Sequence, residues 1–316
     1  KTMKKFVAIL LTLMLVLGVS GALAAAAPNL PNATFKKNYT QNGGTAPEAT
    51  FTFKAEFKAF AEGATAGGPA LRISNVVATG AGDNYTATIS PEGEFPSVGK
   101  YYYTVSEDQG NVAGITYAAP LYLMVLVTNG EGGALVPSYY LYKNENMDTK
   151  EDTFTNAYSA GTLTVKKTVD GNLGDKKKVF DFTVTFAEPQ GKDWTPAIDL
   201  PTGAEMVGDN PKSYTFKLKH DATATFGNLP YGVSYRVIET GAEEKDGVLM
   251  NGDYQVAMTG NEGVIGSAAT EAKFVNTKEG SIDTGVTTEN LPYVLLLGFV
   301  VLAGAALLIK RKAHNN

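Results

Sequence analysis

The sequence predicts an all-β protein made of two tandem β-sandwich domains. Apolar and polar residues alternate over short segments, glycine-rich and Asn/Asp/Pro clusters separate these segments, and the whole pattern occurs twice within 316 residues. Such alternation is typical of strands with one buried face, and frequent turn signals are typical of antiparallel sandwiches. A chain of this length has room for two domains, each with a core of its own.

Residues 1–24, which precede the β pattern, are interpreted as a secretory signal peptide. Lysines precede an apolar run over residues 6–19, and an Ala-x-Ala cleavage site follows at residues 22–24. This order of charged, apolar and small residues is typical of signal peptides, and translation is expected to start at Met3. The mature chain is therefore expected to lack this segment and to be exported.

A second apolar run occupies residues 291–309 near the C-terminus, and Lys310, Arg311 and Lys312 follow it directly. Its length suffices to span a bilayer, and the basic tail would remain in the cytoplasm. The chain between the two ends is therefore predicted to be extracytoplasmic. It contains no cysteine, so any covalent reinforcement must use chemistry other than disulfides, unless the two domains need none.

Each half of the β pattern has four corresponding strands in the same order. The first half reads NATFKKNYT, ATFTFKAEF, GKYYYTVSED and DTFTNAY, and the second reads GTLTVKKTVDG, VFDFTVTF, GVSYRVIET and AKFVNTK. A lysine strand opens each half, a Tyr-x-Val-x-Glu strand follows, and a Phe-x-Asn strand closes it. The boundary is predicted in AYSAGT, residues 157–162, which gives domains over residues 28–158 and 159–279.

The phase of each strand is set by its apolar residues. One face of the second strand of each half is predicted to be buried, with Ala49, Phe51, Phe53, Ala55 and Phe57 in the first half, and Phe180, Phe182, Val184 and Phe186 in the second. Tyr101 and Tyr103 are assigned to a core face, although a tyrosine-lined ligand surface is the alternative.

The same three polar residue types lie in phase with apolar faces in both halves. They are Lys37, Glu107 and Asn156 in the first half, and Lys167, Glu239 and Asn276 in the second. Separate burial of such groups would be costly, because a desolvated charge must be paired or neutralised. Lys166 has the opposite phase and is predicted to be an ordinary surface charge.

Burial of a lysine, a glutamate and an asparagine together predicts a reaction between them. Desolvation lowers a lysine pKa and raises a glutamate pKa, so both groups can be neutral at pH 7. A neutral amine is a nucleophile, and a protonated carboxyl can polarise the Asn carbonyl and pass a proton to the departing ammonia. The expected product is a Lys–Asn isopeptide bond. The alternatives are buried salt bridges near an asparagine, or strand phases different from those assumed.

These motifs, repeated between a signal peptide and a C-terminal sorting signal, resemble the sortase-assembled backbone pilins of Gram-positive bacteria, in particular the streptococcal FctA type. The resemblance implies immunoglobulin-like (CnaB-like) sandwiches, one bond between Lys37 and Asn156 assisted by Glu107, and one between Lys167 and Asn276 assisted by Glu239. Each bond would close a loop of more than 100 residues.

The resemblance also implies a sortase motif and a linkage lysine. SIDTG at residues 281–285 stands at the position of the motif, with cleavage expected between Thr284 and Gly285, although the usual x-Pro start is missing. A plain transmembrane anchor is the alternative interpretation. Lys150 is the expected attacking lysine for the bond between subunits, and Lys143 is the alternative.

Other functions have little support in the sequence. The net charge of −5 argues against nucleic acid as a partner. The only histidines are His220 and His314, so neither a histidine-based triad nor a histidine metal cluster can be assembled. No cofactor, no metal and no enzymatic activity on an external substrate are expected.

The sequence therefore predicts a structural shaft subunit of a covalent pilus on a Gram-positive cell wall. The expected partners are sortase, identical pilin subunits joined head to tail, and peptidoglycan, reached directly or through a base pilin; a host receptor is left open. The alternatives are a wall-anchored adhesin that does not polymerise and, less favoured, a membrane-anchored surface enzyme.

Overall fold

The computed structural model of the chain describes residues 33–281. The predicted signal peptide, the predicted cleavage site at Thr284 and Gly285, and the apolar run over residues 291–309 lie outside the described residues. Within residues 33–281, no helix is long and apolar enough to cross a membrane.

The described residues are almost entirely β-structure, which confirms the all-β prediction. One 3-10 turn, Glu131–Gly133, interrupts the strands. The strands of the first half are β1 Ala33–Asn42, β2 Ala49–Phe51, β3 Phe53–Ala61, β4 Leu71–Ile73, β5 Val76–Ala78, β6 Gly82–Pro91, β7 Gly99–Glu107, β8 Ile115–Thr116, β9 Leu121–Asn129 and β10 Leu135–Tyr142. A shared strand, β11 Thr153–Asp170, precedes β12 Phe180–Ala187, β13 Glu205–Val207, β14 Asn210–Leu218, β15 Thr223–Pro230, β16 Ser234–Glu239, β17 Ala242–Lys245, β18 Val248–Asn251, β19 Tyr254–Thr259, β20 Glu262–Val264 and β21 Ala269–Thr277.

Strand β11 connects the two halves without a turn. The predicted closing strand DTFTNAY and the predicted opening strand GTLTVKKTVDG are one continuous strand of 18 residues. Its first part pairs in parallel with β1, and its second part pairs in parallel with β21. Gly161, the one glycine of this strand, allows a close approach, since a Cβ there would lie 2.2 Å from the Ser267 carbonyl oxygen. The two halves therefore share one backbone element where a domain boundary was predicted.

Each half is a sandwich of two sheets. A ten-stranded sheet runs through both halves in the order β17-β18-β19-β21-β11-β1-β6-β4, and β8 and β15 also pair with β11. A four-stranded sheet, β10-β9-β7-β3, packs against it in the first half, and a five-stranded sheet, β13-β14-β12-β16-β20, packs against it in the second. Strands β1, β11 and β21 thus face the strands that end in glutamate.

Aromatic residues fill the space between the sheets and confirm the predicted strand phases. In the first half the rings of Phe35, Phe53 and Phe154 lie with centroids 5.0–5.2 Å apart. In the second half Phe182 lies 5.1 Å from Phe274 in an edge-to-face arrangement. Such ring pairs stabilise a core beyond the area that they bury.

The segment ATFTFKAEF differs from the prediction in two respects. Ala49, Phe51 and Phe53 are buried as expected, whereas Ala55 and Phe57 are only partly buried, and the strand is broken at Thr52. Strand β2 pairs with β5, whereas β3 pairs with β7 in the four-stranded sheet. The chain passes between sheets at Thr52, and periodicity alone does not reveal this crossing because the side-chain phase is preserved.

A second contact, besides β11, joins the two halves. The Asn111 side-chain amide donates to an Asp193 carboxylate oxygen at 2.6 Å, and the Asp193 backbone N–H donates to the Asn111 carbonyl at 2.7 Å. On another loop, the backbone N–H of Thr45 donates to Asn228 Oδ1 at 2.9 Å. These bonds and the shared strand fix the orientation of one half against the other.

Candidate functional site

The first candidate site lies between the two sheets of the first half. Lys37 is in β1, Asn156 is in the first part of β11, and Glu107 is the last residue of β7 in the facing sheet. Lys37 and Asn156 are fully buried, and Glu107 is 4% exposed. The alternation of β1 turns Lys37 inward together with Phe35 and Tyr39, as predicted.

The Glu107 carboxylate contacts both of its predicted partners with the same oxygen. Lys37 Nζ lies 2.9 Å from Glu107 Oε1, and Asn156 Nδ2 donates a hydrogen bond of 2.9 Å to that atom. The lysine approaches without hydrogen-bond geometry and has no such partner among the described residues. The amine and the amide are thus held side by side at one carboxylate.

The second candidate site has the same three residue types, but its lysine and asparagine contact different oxygens of the glutamate. Lys167 Nζ donates to Glu239 Oε2 at 2.7 Å, and Asn276 Nδ2 donates to Glu239 Oε1 at 2.6 Å. Lys167 and Asn276 are fully buried, and Glu239 is 4% exposed. Glu239 ends β16 as Glu107 ends β7, so both carboxyls enter from the facing sheet.

The strand register is the same at both sites. In the parallel β1/β11 pair, Lys37 lies opposite Phe154, two residues before Asn156. In the parallel β11/β21 pair, Lys167 lies opposite Phe274, two residues before Asn276. Because side chains two residues apart share a face, each lysine and asparagine point to the same interior.

Both lysines are in environments that disfavour the charged ammonium. Burial lowers the pKa of Lys37 to about 8, although the Glu107 carboxylate opposes this shift. Burial also lowers the pKa of Lys167, against the opposing effect of Glu239. Aromatic rings complete the apolar surroundings, since Lys37 Nζ lies 4.3 Å from the Phe51 centroid and Lys167 Nζ lies 4.2 Å from that of Phe180. Burial thus shifts both side chains toward the neutral, nucleophilic amine.

The orientation of the Asn156 amide differs from the expected one. A hydrogen bond from the glutamate to the Asn carbonyl was expected, whereas Asn156 turns its nitrogen toward Glu107. Its carbonyl oxygen Oδ1 accepts a hydrogen bond of 2.8 Å from the backbone N–H of Ala118, which fixes this orientation. The polarising donor in the first site is therefore the Ala118 N–H, and Glu107 lies beside the nitrogen that would depart.

The sequence interpretation also missed a residue that contacts the carboxylate of the second site. Asn251, the last residue of β18, donates from Nδ2 to Glu239 Oε1 at 2.6 Å. Asn276 Oδ1 is buried and has no hydrogen-bond partner among the described residues. Asn251 precedes Gly252, and an Asn-Gly pair is ordinarily taken as a turn signal, so the sequence offered no indication of a site residue.

One buried lysine is unrelated to either site. Lys100, in β7, is 6% exposed, and its Nζ lies 2.6 Å from Glu62 Oε2. Lys100 has the opposite phase to Tyr101 and Tyr103, which are buried in the core as predicted. Burial of a lysine therefore does not by itself identify a site, whereas the shared carboxylate and amide do.

The remaining predicted residues have different surroundings. Lys166 is partly exposed, in contrast to its buried neighbour Lys167. Lys150 and Lys143 are exposed in the segment between β10 and β11, and Lys150 Nζ lies 5.5 Å from the Tyr140 ring centroid. His220 accepts a hydrogen bond from the Val169 N–H at 3.0 Å, a structural role beside β11. Over residues 33–281 there is no cluster of His, Cys, Asp and Glu that could hold a metal ion.

Two family models match adjacent parts of the chain. Residues 33–159 match the Spy0128-like isopeptide containing domain, and residues 161–278 match a domain of unknown function, DUF7601. A pilin of Streptococcus pyogenes serotype M1 is 28% identical over 300 residues, which cover 84% of this chain and 86% of that protein. The pilus tip adhesin Cpa of Streptococcus pyogenes is 31% identical over 134 residues, 40% of this chain but 18% of the adhesin.

Solved structures of streptococcal major pilins are also similar to this chain. The major pilin of Streptococcus pyogenes superposes with a TM-score of 0.57 at 26% identity and covers 79% of this chain and 99% of its own. The major pilin T3.2 of the same species gives a TM-score of 0.52 at 26% identity, with coverages of 80% and 100%. The similarity therefore spans both halves and the strand that joins them.

Proposed function

This chain is a major pilin of the streptococcal type, a subunit of a pilus shaft, and from that premise we propose that each of its two halves forms one intramolecular Lys–Asn isopeptide bond. Lys37 would join Asn156, and Lys167 would join Asn276. The observation that supports this proposal is the occurrence, twice and in the same register, of a buried lysine and asparagine at one buried carboxylate.

The chemistry follows from the geometry of the first site. The neutral Lys37 amine attacks Cγ of Asn156, the Nζ–Cγ bond forms, and negative charge develops on Oδ1, which accepts the Ala118 N–H. Glu107 takes a proton from Nζ and delivers a proton to Nδ2, with which it is already in contact. The Cγ–Nδ2 bond then breaks, so an amine and a primary amide become a secondary amide and ammonia. No oxidant, metal or cofactor is needed for this balance.

The protein itself is the only substrate of this reaction. Each glutamate acts once, on two side chains that the fold places beside it, and the product leaves no free amine at Lys37 or Lys167. Closing a loop of more than 100 residues is expected to stabilise each half by about 4–5 kcal/mol, by analogy with disulfide loop entropy.

Polymerisation is the second part of the proposal. Sortase would cleave between Thr284 and Gly285, and Lys150 of the next subunit, which is exposed, would attack the resulting acyl-enzyme. The filament would then be joined to peptidoglycan of a Gram-positive wall, directly or through a base pilin. Lys143, also exposed, is the alternative linkage residue.

The shared strand β11 gives the two internal bonds different mechanical roles. Tension that enters at Lys150 reaches Lys167 along β11 and would leave through the second bond to Asn276, close to the C-terminal linkage. Most of the second half is bypassed on this route. The first bond, which starts at Asn156, lies beside this path and would hold the first half closed around it.

Intact mass measurement tests the internal bonds. A recombinant polypeptide of residues 28–281, which contains both hydrophobic cores and both sites, is expected to weigh two ammonia molecules less than its sequence mass. The Asn156→Ala variant should lose one ammonia, and the double variant with Asn276→Ala should lose none. An unreduced mass of the unmodified polypeptide would contradict the proposal.

Sodium dodecyl sulfate gel electrophoresis tests the covalent polymer. Surface extracts are expected to show a ladder that resists boiling, and the Lys150→Ala variant should abolish it. A ladder that persists in Lys150→Ala but disappears in Lys143→Ala would move the linkage to the alternative lysine. The absence of any ladder in the unmodified chain would contradict polymerisation.

A further inference from the structure

The second site contains a fourth polar side chain that has no counterpart among the side chains of the first. Asn251 lies at the end of β18, is partly buried, and donates from Nδ2 to Glu239 Oε1 at 2.6 Å. The same nitrogen lies 3.3 Å from the Thr240 carbonyl oxygen, which restrains its direction. These two hydrogen bonds therefore fix the orientation of the Asn251 side-chain amide.

In the first site a backbone group takes this role. The Ala118 N–H lies 3.3 Å from Glu107 Oε2 and 2.8 Å from Asn156 Oδ1, so one donor contacts the carboxylate and the reacting carbonyl together. In the second site the third donor comes from the Asn251 side chain and contacts the carboxylate but not the reacting carbonyl. The two sites thus use different means to hold the glutamate.

Three donors surround the Glu239 carboxylate. Lys167 approaches Oε2, whereas Asn276 and Asn251 both approach Oε1. If Asn251 were absent, Oε1 would keep only the donor from Asn276, whose nitrogen departs in the reaction, and the carboxylate would be less restrained about its terminal torsion. The contacts to Lys167 and Asn276 depend on this one orientation, because each uses a different oxygen.

We propose that Asn251 is a positioning residue for bond formation at the second site. It holds the Glu239 carboxyl so that Oε2 accepts a proton from the Lys167 amine as Oε1 gives a proton to the Asn276 nitrogen, which departs as ammonia. Asn251 takes no part in the bond changes and remains chemically unaltered. This inference rests on the isopeptide bond proposed for Lys167 and Asn276.

The experiment follows both bonds in one molecule. The polypeptide of residues 28–281 is made by cell-free synthesis, samples are stopped with acid at timed intervals, and digestion followed by mass spectrometry gives the fraction of each bond. In Asn251→Ala the second bond should form about 10-fold to 100-fold more slowly, because a hydrogen bond to a charged group is lost. The first bond of the same molecule should keep its rate and serves as the internal control.

Two further variants separate positioning from a general loss of structure. Gln255→Ala removes an exposed amide from the neighbouring strand β19 and should leave both rates unchanged. Asn251→Asp keeps the shape but places a carboxylate against Glu239, so its second bond should be slow at neutral pH. Its rate relative to the unmodified polypeptide should recover toward about pH 4, where the new carboxyl is protonated and can donate.

The experiment distinguishes a failure of the positioning role of Asn251 from a failure of the Lys167–Asn276 bond to form at all. If the unmodified polypeptide never forms the second bond, the proposed function is wrong for that site. If it forms the bond and Asn251→Ala forms it at the same rate, only the positioning role is overturned. Equal slowing of both bonds, equal slowing in Gln255→Ala, or a relative rate of Asn251→Asp that does not change with pH would also overturn it.

Discussion

The pKa of Lys37 predicts how the rate of the first bond depends on pH. Attack requires the neutral amine, and burial lowers the pKa of Lys37 to about 8. About 10% of this amine is then neutral at pH 7, whereas an exposed lysine with a pKa near 10.4 would be neutral to about 0.04%. The buried site therefore provides roughly 250-fold more nucleophile at neutral pH than a surface lysine would.

The lowered pKa of Lys37 also determines the direction in which the rate of the first bond changes with pH. Because the lysine loses its proton as pH rises, the rate should increase about 10-fold per pH unit between pH 5 and pH 7 and level off above about pH 8.5. The Asn276→Ala variant reports the first bond alone, since any loss of ammonia then comes from Asn156. Protein folded at pH 5 would be transferred to buffers from pH 5 to pH 11 and sampled over time by intact mass.

Two results would refute this reasoning. A rate that does not change between pH 5 and pH 8 would show that deprotonation of the amine does not limit attack. A rate that continues to rise beyond pH 10 would show that Lys37 titrates as an ordinary exposed lysine. Circular dichroism at each pH serves as the control, because the fold must remain intact across the range.

Three further predictions concern the second site, the order of the bonds and the polymer. Asn276→Ala should lower the free energy of unfolding by about 4–5 kcal/mol in chemical denaturation, whereas Lys166→Ala should change it by less than about 0.5 kcal/mol; equal effects would show that the bond adds no stability. The first bond should form up to about 100-fold faster than the second in timed peptide mapping, because the Ala118 N–H stabilises its oxyanion and no donor within residues 33–281 contacts Asn276 Oδ1; earlier formation of the second bond would contradict this difference. Purified pili should yield a branched peptide that contains Lys150 joined to the threonine of the sorting motif, and a branch at Lys143 would reassign the linkage.

The positions of the two lysines could be predicted from the sequence because strand phase is a local property. Lys37 shares the parity of Phe35, and Lys167 shares that of Leu163 and Val165, so alternation alone turns both lysines inward. The repetition of the pattern then indicated which glutamate and asparagine accompany each lysine. The structure buries all six of these residues.

The donors that hold each glutamate could not be predicted in the same way. Ala118 contributes its backbone N–H, and an alanine side chain gives no indication of such a role. Asn251 reaches Glu239 only because β18 and β19 fold back beside β21, which is a matter of packing between distant strands. Contacts of this kind depend on the path of the backbone in three dimensions. The alternation of apolar and polar residues along a strand carries no information about that path.

The continuity of β11 escaped prediction for a related reason. The segment AYSAGT contains small residues and a glycine, which favour a linker in a single sequence. In the structure these small residues let β11 pass close to neighbouring backbone, as at Gly161 beside Ser267, while the strand remains paired on both sides. Small residues can therefore indicate close packing as well as a turn.

The existence of the two internal bonds is tested most directly by mapping cross-linked peptides from the purified polypeptide of residues 28–281. After complete proteolysis, we expect one branched peptide that joins Lys37 to Asn156 and one that joins Lys167 to Asn276, each lighter by one ammonia than the sum of its two linear peptides. Recovery of the four linear peptides with free lysine amines and intact asparagine amides would contradict this account.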